Sequence, residues 1–365
     1  MEKDLPYGHQ KSNHSALPLQ RSISRKPMKI GLIDVDGGKR FPNLPLMKLS
    51  AWHKQNGDSV EWYSPLWSGH MDIVYLSKVF SFSPDYEHYI DADVVHRGGS
   101  GYCISIVDGK EVFDKSKDIQ LPHEVEHIYP DYSIYPELTK DTAYGFMTRG
   151  CPRHCQFCIV GDKEGTRSIT VAPLSEFWRG QKNIVLLDPN PFAARDWKEN
   201  IQQLIDSKAS VEFNQGVDIR CLTAEKIEYL KRIKCKMVHF AWDKYEDKDI
   251  IVPKLKMFKE ITGWHRSKMP VYILTNFDTT FEQDLERVYT VRDLGFTPDV
   301  RIYEKYRLPK THDLVRLQSW VNNRIIFNSG TANTFEEYNT KKKAKETECE
   351  SELYALLEQS SSYLH

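Results

Sequence analysis

The chain has 365 residues, of which 40% are hydrophobic, and this length predicts two domains or one large domain with additions. Its 50 basic and 51 acidic side chains give a net charge of −1, so nucleic-acid binding is not indicated by the overall charge. The mean hydropathy is −0.55, and no apolar run approaches the roughly 20 residues that span a bilayer, which excludes a membrane-spanning chain.

The cysteine content and the first residues indicate the compartment. Seven cysteines, an odd number with three clustered, predict a reducing cytoplasmic setting rather than a disulfide framework. Residues 1–27 are rich in Ser, Lys, Arg and His and lack the apolar segment of a secretory signal. We therefore expect a cytoplasmic protein whose residues 1–27 form a disordered lead.

Residues 28–104 predict a small Rossmann-like parallel α/β domain. Apolar runs indicate strands at 29–36, 60–63, 72–77 and 93–96, and Pro45 opens a helix that Asn56 and Gly57 close. Such sheets bind ligands at the carboxyl ends of their strands. The candidate lining is therefore Asp34 to Lys39, Ser77 to Phe82 and Gly98 to Tyr102.

Regular alternation of strands and helices follows a linker at 105–142, which is rich in Pro, Tyr, His and acidic residues. We expect the aromatic side chains of this linker to hold it against the next domain. Residues 143–325 predict a partial (β/α)6 TIM-type barrel, and residues 326–365 a C-terminal helical tail. The predicted strands are 143–149, 183–188, 211–218, 236–243, 271–276 and 299–303. In such barrels the chemistry lies at the carboxyl ends of the strands.

A cysteine motif follows the first predicted barrel strand. Cys151, Cys155 and Cys158 have the spacing CxxxCxxC, so three thiolates can converge on one metal centre. Thiolates are soft ligands that suit zinc or an iron–sulfur cluster. Structural zinc requires a fourth ligand, which His154 or a distant cysteine would have to supply. Three cysteines on a 4Fe-4S cluster leave one iron open to another ligand.

The CxxxCxxC motif resembles that of the radical S-adenosylmethionine superfamily. The resemblance implies that the open iron binds S-adenosylmethionine, and that reduction of the cluster yields a 5′-deoxyadenosyl radical. It also implies that Phe157 packs beside the cluster. The α/β domain ahead of the motif resembles the cobalamin-binding domain of one branch of the superfamily. Cobalamin is therefore a possible further cofactor, although the loop from Asp34 to Gly38 has no cobalt-ligating His.

Polar residues after the second and third barrel strands are the candidates for binding S-adenosylmethionine. Asp188 and Asn190 suit its ammonium group, and the alternative is a plain strand-ending turn. Gln215 or Asp218 could bind the ribose hydroxyls, and Arg220 the methionyl carboxylate. The alternative for Asp218 and Arg220 is a surface salt bridge.

The sequence therefore predicts a radical S-adenosylmethionine enzyme that abstracts hydrogen from an unknown substrate, with methyl transfer among the open reactions. A flavodoxin or ferredoxin is the expected electron donor. The alternative is a zinc-stabilised binding module for RNA or protein without catalysis. A third hypothesis keeps the cluster as a structural element only. Trp242 and Asp243, Asn276 and Tyr303 follow later strands, and we expect them to face a substrate cavity.

Overall fold

The computed structural model describes residues 26–38, 41–107, 110–330 and 332–342. Most of the predicted disordered lead, Cys349 and the end of the predicted helical tail lie outside these residues. The chain divides into two compact units, and the boundary between them in the sequence lies between Val185 and Leu186. The sequence-based prediction placed the domain boundary earlier, between residues 142 and 143. Within the described residues, no helix is both long enough and apolar enough to cross a membrane.

A four-stranded parallel sheet forms the first part of unit 1. Its elements are β1 (Lys29–Asp34), α1 (Leu44–Gln55), β2 (Ser59–Trp62), β3 (Met71–Ser77) and β4 (Ala92–Gly98). The spatial order is β2-β1-β3-β4, with Ile30 of β1 beside Val60 and Ile73. Because side chains alternate along a strand, Ile30 and Leu32 pack toward α1, and Ile33 packs on the other face.

The connections of this sheet differ from the Rossmann pattern. Only α1 lies between consecutive strands, because the described segments 63–70 and 78–91 contain no helix. Both segments contain a Ser-Pro pair, and the residue before a proline is disfavoured in helical conformation. The face opposite α1 is therefore covered by loop residues, among them Tyr86 and Ile90. The prediction of a small parallel α/β fold is confirmed, with one helix instead of several.

The predicted linker is an ordered part of unit 1. It contains a hairpin of β5 (Ile104–Val107) and β6 (Lys110–Phe113), followed by α2 (His123–Glu126) and α3 (Pro136–Thr139). Val125 of α2 is fully buried in the core of the sheet. The Tyr132 hydroxyl donates to the Phe177 carbonyl oxygen at 2.6 Å and accepts from the Tyr144 backbone N–H at 3.2 Å. An aromatic side chain thus ties the linker to the segment that follows it, as the sequence suggested.

The first predicted barrel strand is broken. The structure has β7 (Thr142–Gly145) and β8 (Thr148–Arg149), then α4 (Val160–Glu164), β9 (Ile169–Thr170) and β10 (Asn183–Leu186). β8 pairs antiparallel with β9. The cysteine motif lies in the loop between β8 and α4, so this short ladder fixes where the loop begins.

Unit 2 alternates helices and strands. Its elements are α5 (Trp197–Ser207), β11 (Ser210–Phe213), α6 (Ala224–Arg232), β12 (Cys235–Val238), β13 (Phe240–Ala241), α7 (Lys248–Thr262), β14 (Pro270–Thr275), α8 (Phe281–Asp293), β15 (Thr297–Ile302), α9 (Asp313–Asn322) and α10 (Arg324–Asn328). β11 pairs parallel with β12, and β13, β14 and β15 form a parallel sheet. The α/β class is confirmed, whereas the closure of six β/α repeats into a partial barrel stays a prediction.

Helix α8 buries a different face from the predicted one. The apolar pattern favoured Phe281, Leu285, Val288 and Leu294, but the buried residues are Asp284, Arg287, Val288 and Val291. Arg287 is fully buried, and its guanidinium donates to the backbone carbonyl oxygens of Trp242, Asp243 and Leu274 at 2.7–2.8 Å. The hydrogen bonds of Arg287 to strand ends therefore turn the helix away from the orientation that apolar periodicity predicts.

Candidate functional site

The cysteine loop of unit 1 is fixed at both ends by its backbone. Gly150 precedes it with φ +83°, and a Cβ atom at this position would lie 2.3 Å from the Arg167 carbonyl oxygen. The Cys151 N–H donates to the Gly165 carbonyl oxygen at 3.1 Å, and the Cys158 N–H to that of Cys155 at 3.0 Å. A residue other than glycine could not begin the loop in this conformation.

The three cysteines and Phe157 lie near the surface. Cys151, Cys155 and Phe157 are half-buried, and Cys158 is exposed. No described cysteine forms a disulfide. Among the described residues, no three His, Cys, Asp or Glu side chains are arranged to hold a metal ion, which includes any set completed by His154. The donor chemistry of three cysteine thiolates suits an iron–sulfur cluster.

Charged side chains connect the cysteine loop to the rest of unit 1. The Arg149 guanidinium donates to Glu164 at 2.9 Å and to Glu126 of α2 at 3.4 Å, and Lys48 of α1 donates to Glu126 at 2.9 Å. A second oxygen of Glu164 accepts from the Gly150 backbone N–H at 3.2 Å. Burial lowers the pKa of Lys48. The network ties both sides of the loop to α1 and α2.

The strand ends of unit 2 form a continuous row. Backbone N–H groups of Asn214, Val217, Trp242 and Tyr303 donate to the carbonyl oxygens of Leu186, His239, Tyr272 and Thr275, respectively, at 2.7–3.0 Å. Each bond joins one strand end to the next, so polar residues that follow the strands lie along one edge. This edge carries the candidate residues after β10 and β11.

Asp188 and Asn190 are buried at the start of this row, with 2% and 1% of their surface exposed. They come directly after β10, whose last residue, Leu186, accepts the bond from Asn214. Burial of a carboxylate and an amide is costly unless hydrogen bonds satisfy them. The choice between a site for an ammonium group and a plain strand-ending turn stays a prediction.

The residues after β11 divide into two groups. Gln215 is exposed, whereas Gly216 is buried with φ +90° and packs 3.1 Å from the His239 carbonyl oxygen, measured from its ideal Cβ position. Asp218 accepts from the Arg220 Nε at 2.7 Å, and Arg220 also donates to Asp247 at 2.6 Å. The predicted salt bridge is present. Arg220 is held by two carboxylates, one of which follows β13.

Asp243 and Trp242, which the sequence-based prediction placed toward a substrate cavity, differ in their surroundings. Asp243 lies beside the Asp218, Arg220 and Asp247 group, and burial raises its pKa to about 6 against the opposing effect of Arg220 and Arg287. Its position after a strand was the available signal, but nothing in the sequence indicated its proton affinity. Trp242, expected to face a cavity, is fully buried, and its indole N–H donates to the Lys244 carbonyl oxygen at 2.9 Å.

Asn276 and Tyr303 also lie at the ends of their strands. Asn276 has φ +64°, and its side-chain amide donates to the Tyr303 carbonyl oxygen at 2.8 Å. The side chain of Asn276 therefore joins the ends of β14 and β15. Asn276, which the sequence suggested for substrate contact, therefore has a structural role in this hydrogen bond.

No family model matches the sequence, and no curated protein matches it. Three crystal structures of SuiB from Streptococcus suis show a likeness. A structure of SuiB has a TM-score of 0.38 and 15% identity, covering 51% of this chain and 46% of that chain. SuiB bound to the precursor peptide SuiA gives 0.38 and 12%, covering 60% and 55%. SuiB bound to S-adenosylmethionine gives 0.34 and 14%, covering 62% and 53%. The matches span about half the length of the SuiB chains, and TM-scores this low assign neither fold nor function.

Proposed function

We propose that this protein is a radical S-adenosylmethionine enzyme. The observation that carries the proposal is the set of Cys151, Cys155 and Cys158, spaced CxxxCxxC in a loop whose start is fixed directly after β8. A 4Fe-4S cluster on three thiolates leaves one iron for S-adenosylmethionine, and after reduction this pair supplies a 5′-deoxyadenosyl radical that abstracts hydrogen.

The residues of unit 1 would supply the ligands and their position. The three cysteines would bind as thiolates, and Phe157 would cover one side of the cluster. Gly150 and the bonds of Cys151 to Gly165 fix the loop where it leaves β8. We expect cluster binding to order the loop further, because metal binding commonly couples to folding.

Residues of unit 2 would bind S-adenosylmethionine. Asp188 and Asn190 are the candidates for its ammonium group, and Gln215 or Asp218 for the ribose hydroxyls. The candidate for the methionyl carboxylate is Arg220. Arg220 already contacts Asp218 through Nε and Asp247 through Nη1, so a third carboxylate would join or replace one of these pairs. The amide of Gln215 is exposed.

The proposal also covers the substrate, the electron donor, the compartment and the partners. The substrate is unknown, a flavodoxin or ferredoxin would deliver the electron, and the protein would work in the reducing cytoplasm. Cobalamin, the further cofactor that the family resemblance implies, would bind within unit 1. The charge balance favours no nucleic-acid partner.

The direct test compares cysteine variants after anaerobic reconstitution with iron and sulfide. Cys155→Ala should lose most of the bound iron and the production of 5′-deoxyadenosine. Cys103→Ser is the matched control, because Cys103 lies outside the motif and a serine hydroxyl can keep its hydrogen bond to the Gly99 carbonyl oxygen. Equal iron and equal 5′-deoxyadenosine in wild type and Cys155→Ala would overturn the proposal. One zinc and no iron would favour the binding-module alternative.

A further inference from the structure

A cavity of about 620 Å³ opens at the carboxyl edge of the first sheet. It is bordered by the loop after β1, the end of β2, the loop after β3 and the linker, all within unit 1. Its strand residues come from the ends of β1 and β2. Parallel α/β sheets bind ligands outside the carboxyl ends of their strands. The volume lies within the roughly 300–1,000 Å³ of small-molecule sites.

Aromatic side chains line much of this cavity, namely Trp62, Tyr63, Tyr86 and Tyr135. The rings of Trp62 and Tyr135 meet edge to face, with centroids 5.1 Å apart and planes inclined at 70°. The Trp62 indole N–H donates to the Ile134 carbonyl oxygen at 3.3 Å, which fixes the ring although 41% of the residue is exposed. Rings at this distance and angle form a packed aromatic pair. The faces of such rings attract organic cations.

One carboxylate in the cavity wall has only neutral partners. Asp34 accepts from the Tyr135 hydroxyl at 2.6 Å and from the Asp36 backbone N–H at 3.2 Å, and no ion pair of Asp34 occurs within the described residues. The group is half-buried, and burial, with added repulsion from Asp36, raises its pKa. A carboxylate at the wall of a cavity suits a ligand of opposite charge.

The neighbouring acidic residues are already used in the structure. Asp36 accepts from the Val79 backbone N–H and the Ser83 hydroxyl, both at 2.6 Å, and so fixes the loop after β3. Asp85 accepts from the Tyr102 hydroxyl at 2.5 Å. Gly38 allows the close packing at Asp34, because a Cβ atom there would lie 2.8 Å from the Tyr135 ring. Among the described residues of the cavity wall, Asp34 is therefore the carboxylate whose partners are all neutral.

We propose that this cavity binds a small organic ammonium ligand, with its charge beside Asp34 and its carbon atoms against the rings of Trp62 and Tyr135. The inference does not depend on the cysteine loop or on radical chemistry. It assigns to the first sheet a ligand site of its own.

The test uses the full chain and isothermal titration with choline, tetramethylammonium and ethanolamine, and with 3,3-dimethylbutan-1-ol as the uncharged analogue of choline. At least one ammonium probe should bind, and the uncharged alcohol should bind at least about tenfold more weakly than choline if choline is that probe. Asp34→Asn and Trp62→Leu should each weaken binding about tenfold or more. Trp67→Leu is the control, because Trp67 is 85% exposed and lies outside the cavity wall.

Three results would overturn the inference: no binding of any ammonium probe, equal binding of choline and its uncharged analogue, or unchanged affinity in Asp34→Asn. Thermal unfolding of each variant identifies any that fails to fold. Since Asn can still accept from the Tyr135 hydroxyl, Asp34→Asn keeps the local hydrogen bond and changes mainly the charge. Iron content and 5′-deoxyadenosine formation, measured on the same samples, separate this result from the proposal for the cysteine loop.

Discussion

The Asp243 carboxyl, at the candidate edge of unit 2, has a raised pKa. Burial raises its pKa to about 6 from the usual 3.8. Since the folded state binds the proton more tightly than the unfolded state does, Asp243 lowers the stability as the pH rises from about 4 to about 6. Asp243→Asn should therefore unfold like wild type near pH 4 and be more stable by up to about 3 kcal/mol above pH 6.

Urea unfolding of wild type and Asp243→Asn at pH 4 and pH 7.5 measures this difference. Asp249→Asn is the control, because Asp249 is exposed on α7 and should change the stability equally little at both pH values. A gain that is the same at both pH values would contradict the assignment of the proton to Asp243. The titration also matters for the candidate site, because it changes the charge beside Asp218 and Asp247.

Arg287 links the ends of two strands, β13 and β14, and is paired with Asp284 inside the protein. Arg287→Met should destabilise the protein by about 3–5 kcal/mol, because it leaves the Asp284 carboxylate buried without its cation and removes donors from the strand-end carbonyl oxygens. The measurement is the free energy of unfolding in urea. Arg292→Met on the same helix should cost less than about 1 kcal/mol, because that side chain is partly exposed. Similar losses in both variants would show that the buried network contributes little.

At the scale of elements, the start of the cysteine loop depends on one glycine. Gly150→Ala should distort the loop, because the new methyl group would meet the Arg167 carbonyl oxygen and the backbone would keep φ +83°. We expect loss of most of the bound iron after reconstitution and a destabilisation above about 1 kcal/mol. Iron analysis and urea unfolding measure the two effects.

Gly180→Ala is the control for Gly150→Ala, because it introduces the backbone strain of a positive φ without a steric conflict. Gly180 also has a positive φ, of +95°, but a Cβ atom there meets nothing within 4 Å. This variant should show only the strain, about 1–2 kcal/mol, and keep its iron. If Gly150→Ala binds iron as well as Gly180→Ala does, the position of the loop does not depend on Gly150.

The elements differ in how well the sequence predicts them. Helix α1 begins next to Pro45, as predicted, because a proline that opens a helix is a local signal. Helix α6 has an equally local signal in its cap Thr223, whose side chain accepts from the Lys226 N–H. The break of β12 and β13 at His239 was missed, since the apolar run continues through it. The buried face of α8 was also missed, because Arg287 finds its partners on strands distant in sequence.

At the scale of the whole molecule, the boundary predicted from composition differs from the boundary between the compact units. The predicted boundary at 142 follows the end of a Pro- and Tyr-rich segment. The contacts instead keep residues up to Val185 with the first sheet, through Tyr132 and through the pairs of Arg149 with Glu126 and Lys163 with Asp118. Long-range contacts of this kind leave no periodic pattern in the sequence.

The part of the candidate site that forms a sequence motif could be predicted. The spacing of Cys151, Cys155 and Cys158 marks them as candidate cluster ligands without any structure, because the chemistry requires three thiolates close together in the chain. The roles of Asp188, Asn190, Gln215, Asp218 and Arg220 stay predictions. Their exposure and pairing could be known only from the structure, as the two carboxylates on Arg220 illustrate.

The central claim is that three cysteines hold a cluster with one iron open to S-adenosylmethionine. Electron paramagnetic resonance of the anaerobically reconstituted and reduced protein, recorded with and without S-adenosylmethionine, tests it most directly. We predict about four irons per chain, since a 4Fe-4S cluster contains that number, and a reduced-cluster signal that changes when S-adenosylmethionine is added. A protein without iron, or a cluster signal that S-adenosylmethionine leaves unchanged, would contradict the claim.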